Sequence, residues 1–224
     1  DSKPNWNKVS GVTLVKNVVP YEEMKLRMLN GSHSFLAYLG SLSGYDYVSD
    51  CVQDDVFRNA LVHLMLSEQA RTLSVDDIDL NEYAEQLIER FGNHALKHRV
   101  LQIAMDGSQK IPQRFLASLV WHLQYHQSAP LITLGLAGWL YFIHKNHESL
   151  QDPYQSKINA IAKYAASEEQ FIQEIFALDI FPKAVQDDHG LAQQLFALYK
   201  LIDDKGSQEA VKHILNQHYG VVGV

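Results

Sequence analysis

The chain has 224 residues, 46% of them hydrophobic, and a formal net charge of −7. Such a length and composition are typical of one large globular domain. A general nucleic-acid binder needs a basic surface, so the acidic balance argues against that class. The single cysteine, Cys51, excludes an internal disulfide and a thiol-rich zinc site, and it indicates a reducing compartment.

No apolar leader is visible near residue 1, and the most apolar stretch, 131–143, is shorter than the roughly 20 residues that a membrane-spanning helix needs. We therefore expect a cytoplasmic protein that does not bind membranes, and a buried core helix at 131–143.

The first elements follow in chain order. Residues 6–19 are rich in Val, and 1–19 are predicted to form an extended lead-in that could include a short strand within 6–19. Pro20 stands where a helix can begin, and this helix is predicted to run to Leu39, with Gly40 or Gly44 as its end.

Further helices are predicted from apolar periodicity, capping residues, and Gly and Pro boundaries. They cover 49–71, 79–91 (where Asp79 and Glu82 form a capping box), Asn93 to Gly107, a run from Pro112, an apolar run after Pro130, and runs near 155–165, 167–180, 190–203 and 207–218. About nine helices and almost no strand predict an all-α, multihelical domain over 20–224.

Several site motifs are missing. The sequence has no glycine-rich dinucleotide loop, no phosphate-binding P-loop and no G-x-S-x-G nucleophile motif. His94 with His98, and His122 with His126, could each place two metal ligands on one helix face. Neither pair belongs to an H-E-x-x-H motif, and with eleven histidines in the chain such pairs arise by chance. We therefore expect no metal site.

Charge is distributed unevenly along the chain. Residues 46–89 contain eleven acidic and two basic residues, a net charge of −9, whereas 90–114 contain five basic and one acidic residue, a net charge of +4. The basic window predicts either a binding region for an anionic ligand or an ordinary solvated face.

The most informative segment is 24–34. At about 100° per helical residue, Asn30 lies about 140° from Lys25, and His33 about 80° from it, so all three fit one broad side of a helix. A lysine with a lowered pKa can exchange a proton, an amide can stabilise negative charge on a carbonyl oxygen, and a neutral histidine can bind a hydroxyl. The alternative is two exposed polar residues and one hydrogen-bonded core histidine. Gly31 interrupts this helix and indicates a close approach by a ligand or another backbone.

The pattern K-x₄-N-x₂-H formed by Lys25, Asn30 and His33 resembles the catalytic signature of the mannitol dehydrogenase family, which comprises NAD(P)-dependent polyol dehydrogenases and sugar-acid reductases. The runs 20–34 and 106–112 also look like this family. The resemblance implies a helical C-terminal domain like that of 6-phosphogluconate dehydrogenase. It also implies a missing N-terminal dinucleotide-binding domain that holds NAD or NADP, with 1–19 as the extended segment that leads in from that domain. This chain would then be a fragment that is inactive alone.

The same resemblance implies roles for the signature residues. Lys25 would be the general acid–base, Asn30 would polarise the substrate carbonyl, and His33 would position a substrate hydroxyl, with no metal involved. The run 24–40 is most similar to fructuronate reductase-like members, also called D-mannonate oxidoreductases. That branch implies reduction of the keto-sugar acid D-fructuronate to D-mannonate, and Lys110 and Arg114 in the basic window are then candidate holders of its carboxylate.

Four other functions remain open at this point. Two keep the chemistry and change the substrate: a mannitol (polyol) 2-dehydrogenase and a tagaturonate reductase. The third is a different reductase whose helical C-terminal domain resembles that of 6-phosphogluconate dehydrogenase, and which differs in substrate and not in fold. The fourth is a non-catalytic helical interaction module, in which the polar triad is incidental. The expected partners of the enzyme are a sugar acid or polyol and its own N-terminal domain, not nucleic acid.

Overall fold

The computed structural model describes residues 14–221. Most of the extended lead-in predicted at 1–19 lies outside the described residues, and 14–18 have no regular structure. The first helix begins at Val19, one residue before the predicted Pro20. No residues between 14 and 221 form a sheet, and the predicted all-α class is confirmed.

Twelve helices, labelled here α1 to α12, follow one another along the described residues. They are α1 (19–40), α2 (Val48–Gln53), α3 (55–72), α4 (Leu80–Phe91), α5 (Val100–Ala104), α6 (107–124), α7 (Pro130–Lys145), α8 (Gln155–Tyr164), α9 (Glu168–Phe176), α10 (Lys183–Gln186), α11 (His189–Lys205) and α12 (Ser207–Tyr219). Wide π turns interrupt three of them, at Lys25–Asn30 and Leu36–Gly40 in α1, Leu64–Gln69 in α3 and Pro112–Leu116 in α6.

The apolar helix α7 forms the centre of the domain. Its residues 130–140 are all buried, as predicted for the 131–143 stretch. Two glycines let neighbouring helices approach it: a Cβ at Gly135 would lie 2.9 Å from the Phe115 ring, and one at Gly138 would lie 2.6 Å from Leu39. Tight packing of this kind holds α1 and α6, which carry the site, against a rigid core. No helix within 14–221 has both the length and the apolar character to cross a membrane.

Capping residues set several helix starts as predicted. The Asp79 carboxylate accepts the main-chain N–H groups of Asn81 at 2.9 Å and Glu82 at 3.3 Å, and Ser167 accepts that of Gln170 at 3.1 Å. Such caps satisfy N–H groups that have no partner inside the helix.

The prediction of one helix from Asn93 to Gly107 is wrong. Asn93 does cap a turn, His94–Leu96, but Lys97 then adopts a left-handed conformation with φ 43°, which ends it. The chain is extended at Arg99, which pairs with Tyr47 in an isolated β-bridge before α5 begins. This pairing joins segments far apart in sequence, so local patterns carry no signal for it.

Two other predicted boundaries also shift. The helix predicted at 49–71 breaks at Asp54, whose extended backbone and side-chain cap start a new helix. The helix predicted to begin at Pro112 begins at Gly107, and Pro112 instead opens the π turn of α6. Proline lacks the N–H that a regular α turn would use, which fits a wider turn at that point.

Candidate active site

The signature residues lie on α1, and the first π turn changes their relative positions. Lys25 and Asn30 are the first and last residues of the π turn. A π turn closes between residues i and i+5, so these two lie closer to one line along the helix than the 140° of an ideal α-helix predicts. Turns of this kind are frequent at functional sites. The side chain of Lys25 is exposed, and that of Asn30 is half-buried.

His33 occupies a more enclosed position on the same helix. Its ring lies 4.8 Å from the ring of Phe91 and 5.8 Å from that of His98. Burial, and then electrostatic interactions with His98, Arg114 and Arg90, lower the pKa of His33 to about 4. The ring is therefore neutral near pH 7. Its Nε2 atom is buried and has no hydrogen-bond partner among the described residues, so it can form a hydrogen bond with a ligand.

A neighbouring backbone explains why residue 31 is a glycine. A Cβ there would lie 3.2 Å from the main-chain oxygen of Arg114 and 3.1 Å from Nε2 of Gln69. Gln69 Nε2 also donates to that Arg114 oxygen at 3.0 Å, and Gln69 Oε1 accepts from Ser118 at 2.5 Å. The glycine thus lets α6 pack directly against the signature helix.

Beside His33 lies a cleft of about 330 Å³. It is lined by His33, His98, Arg99, Gln102, Ile103, Lys110 and Arg114. None of these residues is acidic, and three carry a permanent positive charge. The cleft thus joins the end of the signature to part of the basic window at 90–114, and it is electrostatically suited to an anion. Lys25 and Asn30 are not part of its lining.

Both predicted carboxylate holders line this cleft, and both also bind main-chain atoms. Lys110 Nζ donates to the oxygens of Ile103 at 3.2 Å and Met105 at 2.6 Å, across the turn between α5 and α6. Arg114 Nη1 donates to the Asn30 oxygen at 3.3 Å and to Ser34 Oγ at 2.9 Å. Burial lowers the pKa of each of the two cations.

Arg27, the remaining cation of the signature segment, points elsewhere. It donates to the Thr72 oxygen at 2.5 Å and to the Thr72 hydroxyl at 2.9 Å, and it lies 3.3 Å from Glu23. These bonds tie α1 to the end of α3 and leave Arg27 outside the cleft.

The histidine pairs do not converge on a metal site. Within 14–221 no group of three His, Cys, Asp or Glu residues could hold a metal ion. His122 is buried and its Nε2 lies 3.0 Å from the main-chain oxygen of Glu68, whereas His126 is exposed. His94 lies 3.9 Å from Asp50, and His98 lines the cleft.

The structure also contains a buried acid that the sequence analysis missed. The Glu68 carboxylate accepts the N–H groups of Leu131 and Ile132, both at 2.7 Å, and the Tyr219 hydroxyl donates to it. It thus caps the central helix α7 from another element. Burial raises the pKa of Glu68 to about 7, and the three hydrogen bonds oppose that shift.

Comparison with known proteins decides the family. A profile described as the mannitol dehydrogenase C-terminal domain matches residues 17–203. The chain belongs to the mannitol dehydrogenase family. Among its relatives, "Uncharacterized oxidoreductase YeiQ" of Escherichia coli is 44% identical over 95% of this chain. The D-mannonate oxidoreductase of the same bacterium is 42% identical over 94% of it.

Solved structures agree with this family assignment. Mannitol 2-dehydrogenase of Pseudomonas fluorescens, in a ternary complex with NAD and D-mannitol, superposes with a TM-score of 0.87 over 96% of the chain, at 28% identity. This confirms the expected multihelical C-terminal fold of the mannitol dehydrogenase family. The chain covers 44% of the length of each of these three proteins.

Proposed function

We propose that this chain is the catalytic and substrate-binding domain of an NAD-dependent oxidoreductase that reduces a keto-sugar acid, D-fructuronate, to D-mannonate. The observation that carries the proposal is the acid-free, positively charged cleft beside His33, on the helix that bears the family signature. The 42% identity to a D-mannonate oxidoreductase supports the same substrate class.

Lys25 is proposed as the general acid–base. As hydride reaches the carbonyl carbon, an N–H of the Lys25 ammonium transfers its proton to the carbonyl oxygen, and the neutral amine regains a proton from water. Lys25 is exposed in this chain, so the desolvation that would tune it for proton transfer must come from the substrate and from a covering domain.

Asn30 and His33 are proposed to bind two groups of the substrate, the carbonyl oxygen that Lys25 protonates and a hydroxyl group. The Asn30 side chain has no hydrogen-bond partner within 14–221, and its NH₂ group can donate to the carbonyl oxygen as negative charge develops there. The unpartnered Nε2 of the neutral His33 can bind a substrate hydroxyl. Arg114 acts on this pair by fixing the backbone of Asn30.

The cofactor is proposed to be NAD, held by an N-terminal dinucleotide-binding domain joined to this chain. The sequence has no glycine-rich phosphate loop, so the groups that bind the phosphates of the cofactor are expected in the other domain. NADH, when bound, supplies the hydride. Because hydride transfer requires close placement of donor and acceptor, the chain alone is expected to be inactive.

A neutral polyol is the second candidate substrate. It is favoured by the structural match to a mannitol 2-dehydrogenase with bound D-mannitol. In that case the signature residues keep their roles, and the charge of the cleft acts on no substrate group. D-tagaturonate would use the same carboxylate recognition as D-fructuronate.

The test is NADH oxidation by the complete enzyme, with D-fructuronate, D-tagaturonate and D-fructose as substrates. We expect the highest kcat/KM with D-fructuronate. A preference for D-fructose would transfer the function to the polyol branch. No oxidation with any of the three would contradict the catalytic proposal and favour a non-catalytic module.

A further inference from the structure

The three permanent cations of the cleft differ in how far they are already engaged. Lys110 donates two hydrogen bonds to main-chain oxygens, and Arg114 donates to Asn30 and Ser34. Arg99 forms no hydrogen bond or ion pair with any side chain of the described residues. Its guanidinium lies 5.7 Å from the centre of the Tyr47 ring. Among the three, Arg99 therefore has the most donors left for a ligand.

The backbone beneath Arg99 is held firmly in place. Val48 N–H donates to the His98 oxygen, and Val100 N–H donates to the Asp46 oxygen, both at 3.0 Å, on either side of the Tyr47–Arg99 bridge. Tyr47 supports the side chain from one side by a cation–π contact. Arg99 is exposed, so a ligand can reach its guanidinium, and the fixed backbone and the Tyr47 ring restrict where that group can lie.

The surroundings of Arg99 favour a carboxylate over a neutral group. Its neighbours in the cleft lining are His33, His98, Gln102, Ile103, Lys110 and Arg114, and none is acidic. A planar guanidinium can bind a carboxylate through two parallel hydrogen bonds, which gives both strength and orientation. The substrate's hydroxyl groups would then extend from the carboxylate toward His33.

We propose that Arg99 binds the carboxylate of the substrate and determines the preference of this enzyme for sugar acids over neutral polyols. This inference rests on the proposed function, because it names the residue that selects the substrate class. Lys110 and Arg114 then have a different role, because they hold the walls of the cleft and add to its positive charge.

The experiment measures binding separately from turnover. Dissociation constants of D-mannonate and D-mannitol are measured by calorimetry on the complete enzyme, for the wild type and for Arg99→Gln, Arg99→Lys and Arg90→Gln. Arg90 is the matched control: it is close enough to help lower the pKa of His33, but it does not line the cleft. Turnover of D-fructuronate and D-fructose is measured on the same variants.

We expect Arg99→Gln to weaken D-mannonate binding by about tenfold or more, because a charge-assisted hydrogen bond is lost. D-mannitol binding should not change, Arg99→Lys should restore part of the loss, and Arg90→Gln should have little effect. Equal loss for both ligands, unchanged D-mannonate binding in Arg99→Gln, or no D-mannonate binding by the wild type would overturn the proposal. If the wild type binds D-mannonate but oxidises no NADH with either D-fructuronate or D-fructose, the proposed function fails, whereas the role of Arg99 in binding is still tested by the dissociation constants.

Discussion

The guanidinium of Arg114 donates to the hydroxyl of Ser34 at 2.9 Å, across the contact between α6 and α1. The same nitrogen lies 3.3 Å from the main-chain oxygen of Asn30. One side chain thus joins the wall of the basic cleft to the helix that carries the signature. The geometry of Asn30 depends on a residue 84 positions further along the chain.

Replacing Arg114 with methionine should therefore destabilise the domain. Ser34 is buried and would lose its donor, so we expect a loss of about 1–3 kcal/mol in the free energy of unfolding. Urea unfolding of the 224-residue chain measures it. Arg90→Met is the control, since Arg90 is exposed and its replacement should stay within about 0.5 kcal/mol. Equal stability of the two variants would contradict the role given to Arg114.

Gly107 should not tolerate a side chain. A Cβ there would clash with Nε1 of Trp139 and would lie 2.7 Å from the hydroxyl of Tyr38, both fully buried side chains. We expect Gly107→Ala to lower the free energy of unfolding by about 1–3 kcal/mol, the usual range for overpacking. Gly92→Ala, whose nearest neighbours would lie at an ordinary 3.5 Å, should be close to neutral. If Gly107→Ala unfolds at the same urea concentration as Gly92→Ala, the domain has room for a Cβ beside Trp139 and Tyr38, and the prediction is wrong.

Glu68 should make the domain less stable as pH rises from about 4.5 to 7. In that range the unfolded chain has an ionised Glu68, whereas the folded chain keeps the proton because the pKa is raised to about 7. The stabilisation present below pH 4.5 is thus lost by pH 7, up to about 3 kcal/mol. His33 has the opposite effect on the pH dependence of stability. Because its pKa is lowered to about 4, the stability that it contributes is present above pH 6.5 and is lost as the pH falls toward 4.

The Glu68 contribution can be separated by comparing variants. Urea unfolding at pH 5, 6 and 7 should give a more positive slope of stability against pH in Glu68→Gln than in the wild type. Tyr219→Phe removes the hydroxyl that lowers the pKa of Glu68, so the pKa of Glu68 should be higher in this variant. Its stability should therefore continue to fall to a higher pH than that of the wild type. Parallel curves for the wild type and Glu68→Gln would mean that Glu68 ionises normally in the folded state.

His33 should contribute binding but no ionisation to the reaction between pH 5 and 8. Because its pKa is about 4, the ring is neutral throughout that range. We expect His33→Gln to lower kcat/KM while the shape of the pH profile in the complete enzyme stays the same, since kcat/KM reports the ionisations of the free enzyme. If the wild-type profile has a limb near pH 6 that is absent in this variant, His33 titrates near that pH in the free enzyme, contrary to this expectation.

Much of the fold could be predicted from the sequence because its signals are local. The apolar run at 131–143, the caps Asp79 and Ser167, and the glycines and prolines between helices identify most elements correctly. Two boundaries were wrong for local reasons, namely the cap at Asp54 and the π turn at Pro112, and one predicted helix failed because distant segments pair. The bridge between Tyr47 and Arg99 replaces a predicted helix with extended chain, and it leaves no periodic pattern in either segment.

The candidate site was predictable only in part. The spacing of Lys25, Asn30 and His33 identified the signature, and the basic window predicted either an anion-binding region or a solvated face. Lys110 and Arg114 were predicted, and they do line the cleft. No local signal selects His98, Arg99 or Gln102 within that window, because their convergence on His33 depends on the extended turn before α5. Glu68 could not be predicted either, since a single acid on a helix usually faces solvent.

The catalytic role of Lys25 is the central claim, and the most direct test is turnover of D-fructuronate by the complete enzyme carrying Lys25→Ala. A general acid–base contributes roughly 10²–10⁴-fold, so kcat should fall by that factor with little change in the free energy of unfolding, because Lys25 is exposed. Lys163→Ala, the replacement of an exposed lysine on α8, should keep the wild-type kcat. A wild-type kcat in Lys25→Ala would contradict the account.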